Sequence, residues 1–412
     1  MAKARKDNKG RALHKGESQR QSDLMYIYTY TDPLQKRRYI YSKDLVKLRE
    51  REQKLLKDQL DGLDVYVAGN ANLNFVFERY ISTKTELRST TYANYMYMYD
   101  RYVRDGFGKK KIGEIKYSDV VHFYFYLLNE RELQVNTLET IHTVLHPTFQ
   151  LAVRDEIIRN NPSDGAMGEI KKKSGKNPGV RHALTVQQQR AFMNYTSNNP
   201  VFSHWTSLFT VLLGTGCRIG EIIGIRWEDI NFEKRLININ HSVTYYARRA
   251  ETTKCEFAVS LPKTEAGIRN VPMMEVVYNA FMEEYEYQKE NGFSTVTIDG
   301  MNGFVFTNRF GNLHNPQAIN RAIKRIRESY NAEEVLNAKK EKREPVIIPH
   351  FSCHHLRHTF CTRLCENETN IKVIQEVMGH ANIETTMDIY AEVTDIKKTE
   401  AIEKLSHKLN VF

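Results

Sequence analysis

The sequence predicts a multidomain chain: a small three-stranded β-sheet with one helix, then an all-α domain, then a larger mixed α/β domain that is mainly α. Three observations predict it. The chain has 412 residues, more than one small domain uses. Short alternating runs near the N-terminus give way at about residue 73 to apolar residues spaced three and four apart. Stretches rich in Gly, Lys, Pro or Asn interrupt these patterns at 61–72 and 166–182. The expected divisions are 1–65, 73–165, a linker at 166–182, and 183–412.

Residues 1–12 have no periodicity and read as a mobile tail. Glu17–Gln21, Met25–Thr31 and Arg37–Tyr41 read as strands, with Asp32-Pro33 turning between the last two. Tyr26, Tyr28 and Tyr30 share one face of the second strand, Ile27 and Thr29 the other. A helix over Lys43–Leu60 carries Leu45, Leu48, Leu55 and Leu56 along one side. In the second domain, Ser89-Thr90 can cap a helix with a stripe of Tyr92, Tyr95, Tyr99 and Tyr102, which suits core packing better than base stacking. Ser118-Asp119 starts another helix. Asn136-Thr137 starts a long one through Leu145, Phe149, Ala152 and Ile157, ending at Asn160-Asn161-Pro162. The third domain reads as helices near Val186–Tyr195 and His204–Leu213, strands near Lys234–Ile239 and Glu256–Pro262, and helices near Met274–Gln288, Pro316–Tyr330, His354–Cys365 and Ile371–Met378. Asn331–Glu344 reads as a charged surface loop.

Composition excludes several classes. A hydrophobic fraction of 41% rules out global disorder, and no apolar run approaches the ~18 residues a membrane span needs. The basic N-terminus lacks the apolar segment of a secretory signal, and five cysteines fit reduced thiols in a cytoplasmic protein. Of the net charge of +10, residues 1–60 supply +8, with 16 Lys/Arg against 8 Asp/Glu. A basic sheet of this size fits a DNA major groove and its phosphates; a solvated tail would carry the same charge.

The chemistry is concentrated later. TGCRIGE places Arg218 just after an apolar run, PKTEAGIRNVP contains Lys263, HHLRH spans His354 to His358 with Arg357 inside, GH ends at His380, and Tyr390 lies ten residues on. Planar arginines suit the spread negative charge of a phosphodiester in transfer. A tyrosine, with an unperturbed pKa near ~10, attacks phosphorus only where cations and a base favour its phenolate. Lys263 can protonate a departing sugar oxygen, and His354 and His380 can move protons or bond a non-bridging oxygen. Each residue alone is weak evidence, since the chain has 23 tyrosines. The ordered set is specific.

That set, with GTGCRIGE, RWEDI, HHLRHT and MGHANIETTMDIY around it, resembles the tyrosine recombinase family of lambda-type integrases, and most of all integrases of conjugative transposons. The resemblance covers essentially the whole chain. It implies an arm-binding domain at the N-terminus, a core-binding domain over the helical part, and a catalytic domain. It gives Tyr390 as the nucleophile, Arg218 and Arg357 on the phosphate, Lys263 on the leaving group, His354 and His380 in support, and Glu221 in a structural role. No ATP, metal or other cofactor is implied. The implied partners are double-stranded DNA and a homotetramer on it, with an excision factor and a host DNA-bending protein possible additions. Cys217 departs from the larger apolar residue common at its position.

Three other readings stand beside this one. Cys353, His354, His355, His358, Cys361 and Cys365 crowd one segment, though without a C-x-x-C pair to complete a zinc site. A non-catalytic DNA-binding regulator would use the same scaffold, but would be expected to have lost one of the five signals. A type IB topoisomerase shares the chemistry but needs no second DNA-recognition domain. Beyond the tyrosine, Ile402, Leu405 and Leu409 form a stripe that can pack on its own domain; the resemblance implies docking on a neighbouring protomer instead.

Overall fold

The computed structural model describes residues 5–31, 37–60, 71–174, 183–247, 254–262 and 265–391. The chain separates into two compact units, Met1–Pro178 and Gly179–Phe412. The expected turn at Asp32-Pro33, Lys263 and the stripe after Tyr390 lie outside the described residues.

The first unit opens with the expected antiparallel sheet, β1 (Glu17–Gln19), β2 (Tyr26–Thr31) and β3 (Arg37–Ser42), in that order, followed by α1 (Leu45–Leu60). Tyr26 and Tyr28 are buried with Leu45, Leu48 and Leu55, and Tyr30 packs on the edge of that core. The opposite face pairs Ile27 with Tyr41 and Thr29 with Tyr39, and both Tyr39 and Tyr41 are exposed. Two expectations fail here. Leu56 is exposed, because the stripe on α1 is narrower than four leucines. Residues 5–12 are tied down: Asp7 accepts hydrogen bonds from Tyr26 (2.9 Å) and from Arg11 Nε (2.8 Å), a polar anchor that carries no periodicity.

The helical part comprises α2 (Leu73–Ser82), α3 (Ser89–Tyr99), α4 (Tyr117–Asn129), α5 (Val135–Arg154) and α6 (Ala166–Ser174). Asn72 caps α2 by accepting from Phe75 N. The tyrosine stripe divides: Tyr99 is fully buried and stacked on Phe77 at 3.5 Å, Tyr95 and Tyr102 pack at the edge of the core, and Tyr92 is exposed. Helix α5 stops at Arg154, before the expected Asn-Asn-Pro, because Glu156 turns into the left-handed region at φ 57°. The stretch expected to be a linker from residue 166 is helical as far as Ser174. Ala166, Met167 and Ile170 are buried in the helical core, an apolar stripe of three residues that Gly168 and three lysines conceal in the sequence.

The second unit is built around α7 (Val186–Asn198), α8 (Thr206–Thr215), α9 (Ile219–Gly224), α10 (Glu275–Asn291), α11 (Pro316–Glu341), α12 (Cys353–Asn367) and α13 (Ile371–Met378), with a further helix at 383–391. Strands β4 (Ile230–Asn231), β5 (Leu236–Ile239) and β8 (Arg269–Pro272) form one antiparallel sheet, and β6 (Ser242–Ala247) and β7 (Cys255–Ser260) a hairpin. Phe192, Phe209, Phe281, Phe304 and Leu356 fill the core. Most of the loop expected over Asn331–Glu344 is instead the C-terminal part of α11, which runs as far as Glu341. Its inward face holds Ala338 and a buried Glu334 paired with Arg343 (3.0 Å), so burial there is partly polar and invisible to apolar periodicity.

Phe149 sits fully buried in the C-terminal half of α5. Phe149→Ala should therefore cost about 3–5 kcal/mol of stability in the helical part, read as a lower urea midpoint for that unit.

Candidate active site

Helix α8 buries most of its residues and ends at Gly216, whose φ of 62° gives the left-handed cap that turns the chain back. A Cβ on Gly216 would lie 2.3 Å from the Phe360 ring. Two residues later Arg218, in extended conformation, is the N-cap of α9. Glu221, at the third position of that helix, accepts from Arg218 N at 2.8 Å and from Arg218 Nη1 at 2.9 Å. The R-x-x-E spacing thus closes a helix start and orients a guanidinium with one carboxylate. Gly220 and Gly224 leave room for β6: a Cβ on Gly220 would meet Val243 O at 2.8 Å.

Arg357 is on α12 and 96% buried. Its Nη1 donates to Gly216 O at 2.7 Å and its Nη2 to Met378 O at 2.6 Å. A third arginine, which motif reading passed over, joins them. Arg269, the first residue of β8, donates from Nη2 to Glu221 at 2.9 Å and from Nε to Val377 O at 2.9 Å. Arg218 Nη2 donates to Gly379 O at 3.0 Å. Three successive carbonyls at the end of α13, those of Val377, Met378 and Gly379, therefore each hold a different arginine. These are the carbonyls a helix end leaves without internal partners, at the negative pole of its dipole.

Gly379 makes this approach possible. It has a φ of 63°, and a Cβ there would lie 2.8 Å from Arg269 Nη1. His380 follows it, nine-tenths buried; Gln375 O accepts from its backbone N at 3.2 Å. Its Nδ1 lies 2.9 Å from Thr386 Oγ1. Thr386 is on the 383–391 helix, which also carries Tyr390. Tyr390 and Ile389 pack against Cys361, Cys365, Ile374 and Met378. His354 lies exposed at the start of α12, one turn before Arg357.

Electrostatics follow from this crowding. Burial pushes the His380 imidazole down to about 4, and the charges of Arg357, Arg218, Arg269 and His354 add to it, so the ring is neutral at pH 7. Burial and the Arg218 charge lower Arg357 to about 10, with Glu221 opposing, and it remains a cation. Burial alone would raise Glu221, but its hydrogen bonds and charge interaction with Arg269 outweigh that and hold it low. The site is a set of three cations around one carboxylate, beside a neutral histidine and a tyrosine-bearing helix. It is suited to an anion that gains charge as it reacts.

The structure thus brings Arg218, Glu221, Arg357 and His380 together, adds Arg269, and packs the Tyr390 helix on α13. The cysteine- and histidine-rich segment spreads over several faces: Cys353 is in the main core, Cys361 and Cys365 are in the smaller cluster, and His354 is exposed.

Comparison with known proteins agrees with this architecture. Residues 182–396 match the phage integrase family, residues 1–59 the DNA binding domain of Tn916 integrase, and residues 72–128 the N-terminal SAM-like domain of phage integrases. The transposase from transposon Tn916 of Enterococcus faecalis is 31% identical over 407 residues, covering 96% of this chain and 95% of that protein. The Tn1549 transposon integrase, solved with transposon right end DNA, superposes with a TM-score of 0.68 at 26% identity, over 82% of this chain and 100% of that one. A lambda integrase tetramer bound to a Holliday junction shares the fold, with a TM-score of 0.53 at 15% identity, over 91% of this chain and 94% of that one. The chain belongs to the phage integrase family and is a tyrosine recombinase. Within that family it is a site-specific recombinase of the conjugative-transposon type. Among the described residues no helix is long and apolar enough to cross a membrane.

Two predictions follow from the arginine cluster. Gly379→Ala should lose about 1–2 kcal/mol from the left-handed backbone alone, with a further loss as Arg269 is displaced; thermal melting would register both. Because Glu221 is held below its ordinary value, its stabilisation is complete above ~4.3 and fades as pH falls through its lower folded value. The stability gap between wild type and Glu221→Gln, followed by urea unfolding, should be widest at neutral pH and close on acidification.

Proposed function

We propose that this recombinase cuts and rejoins duplex DNA at the ends of a mobile element and at its target, with Tyr390 as the nucleophile. The observation that carries the reading is the convergence of Arg218, Arg269 and Arg357 on the end of α13, the helix against which His380 and the Tyr390 helix are also held. Tyr390 Oη attacks phosphorus. The new P–O bond forms as the bond to the 5′ oxygen breaks, giving a 3′-phosphotyrosyl link and a free 5′-hydroxyl. Lys263 supplies the proton that the departing oxygen takes up. Arg218 and Arg357 neutralise the non-bridging oxygens, whose negative charge is greatest in the transition state, and His354 and His380 assist. A 5′-hydroxyl from a partner strand then reverses the step. One phosphodiester is exchanged for another, so no external energy source is needed.

The division of labour we infer is arm-site binding by residues 1–65, core-site binding by 73–165 with α6 added to it, and catalysis by 183–412. The exposed Tyr39 and Tyr41 face of the first sheet fits a groove-facing surface. The Tn1549 complex with transposon DNA and the lambda tetramer on a Holliday junction support duplex DNA as partner and a tetramer as the working assembly. Directional control by an excision factor and a DNA-bending protein, and docking of the segment after Tyr390 on a neighbouring protomer, belong to the same reading.

A nicked duplex that loses its short 5′ fragment on cleavage traps the covalent adduct. Wild type should accumulate it without added metal, and Tyr390→Phe should bind the duplex equally well and form none. Adduct formation by Tyr390→Phe would remove the nucleophile assignment. Lys263→Ala should cleave at least ~100-fold more slowly, yet recover on a substrate whose 5′ bridging oxygen is sulfur, since a thiolate leaves without a proton. An equal defect on both substrates would remove Lys263 from the leaving group.

A further inference from the structure

We propose that Thr386 is a positioning residue for strand cleavage: its hydroxyl fixes the His380 imidazole from the same helix that carries the nucleophile. Thr386 is fully buried and His380 nearly so, with 2.9 Å between Oγ1 and Nδ1. The His380 backbone is already pinned to α13, since its N donates to Gln375 O and its carbonyl accepts from Gln375 Nε2 at 2.9 Å. Only the two side-chain torsions remain, and Thr386 closes both. With Nδ1 committed, any contact with the phosphate falls to Nε2. A hydroxyl can either donate or accept, so it holds either tautomer of a neutral ring.

The placement of this partner matters as much as its presence. Tyr390 follows Thr386 by four positions on the 383–391 helix, so the two share a face of it. Docking that helix delivers the tyrosine and locks the histidine in one event. A tyrosine helix that leaves α13 removes the partner of His380 Nδ1, and the imidazole beside Arg357 and Arg218 loses its fixed orientation. The site would then be armed or disarmed as a unit, with no separate adjustment of the histidine.

The inference rests on the role given to His380 above. The test uses full-length protein and the nicked duplex, measuring single-turnover adduct formation for Thr386→Ser, Thr386→Ala and Thr386→Val, each alone and with His380→Ala. Specific DNA binding and melting temperature serve as the check on folding. Serine and alanine both lack the methyl group and differ only in the hydroxyl; valine keeps the branched shape without it. Thr386→Ser should stay within ~3-fold of wild type and Thr386→Ala and Thr386→Val should fall by ~10-fold or more, while neither should slow His380→Ala further. Equal rates for the serine and alanine variants would overturn the inference, as would a full second loss on the His380→Ala background. If the alanine variant fails to fold, the valine variant decides the comparison against serine. Wild-type cleavage by His380→Ala would instead sink the role of His380, a result separable from any behaviour of Thr386.

Discussion

Three arginines on three consecutive carbonyls hold this candidate active site together. The end of α13 offers Val377, Met378 and Gly379 oxygens with no partners inside the helix, and Arg269, Arg357 and Arg218 take one each. These arginines come from β8, α12 and the start of α9, so a single helix terminus fixes three separate elements. The arrangement also tolerates its own charge. Each guanidinium is planar with several donors, so it can serve a carbonyl on one edge and leave other N–H groups for a ligand. The negative pole of α13 and the Glu221 carboxylate offset part of the repulsion among the three cations.

The same packing sets the protonation states. A histidine buried among arginines stays neutral well into acid, and an arginine buried among its own kind loses some basicity without losing its charge. The cations are therefore the permanent part of the site, and the histidine contributes hydrogen bonding without adding charge. Preorganised positive charge of this kind is held in place by folding energy before any phosphate arrives.

Much of the site was legible in the sequence because its parts are local motifs. Arg218 with Glu221, Arg357 within HHLRH and His380 within GH each sit in a short motif, and the structure brings these four residues together. Arg269 was not legible in that way, since its partners Glu221 and Val377 lie 48 and 108 residues away. A weaker signal did exist. Arg269 shares the inward face of β8 with the buried Val271, and an arginine on a buried strand face requires a buried acid or carbonyl. The fold followed a similar rule. Helices with broad apolar stripes, such as α5 and α8, announced themselves, whereas α6 and the end of α11 have short or partly polar inward faces and read as connections.

The glycines of α9 bear on a residue some distance along the chain. With no side chains at Gly220 and Gly224, the β6 backbone rests directly on that helix, and β7 is paired to β6 through Ser260. Nine residues later Arg269 is clamped by Glu221 and Val377. Helix α9 thus anchors both β7, through its two glycines and β6, and the start of β8, through Glu221, so one short helix fixes two strands that are well separated in the chain.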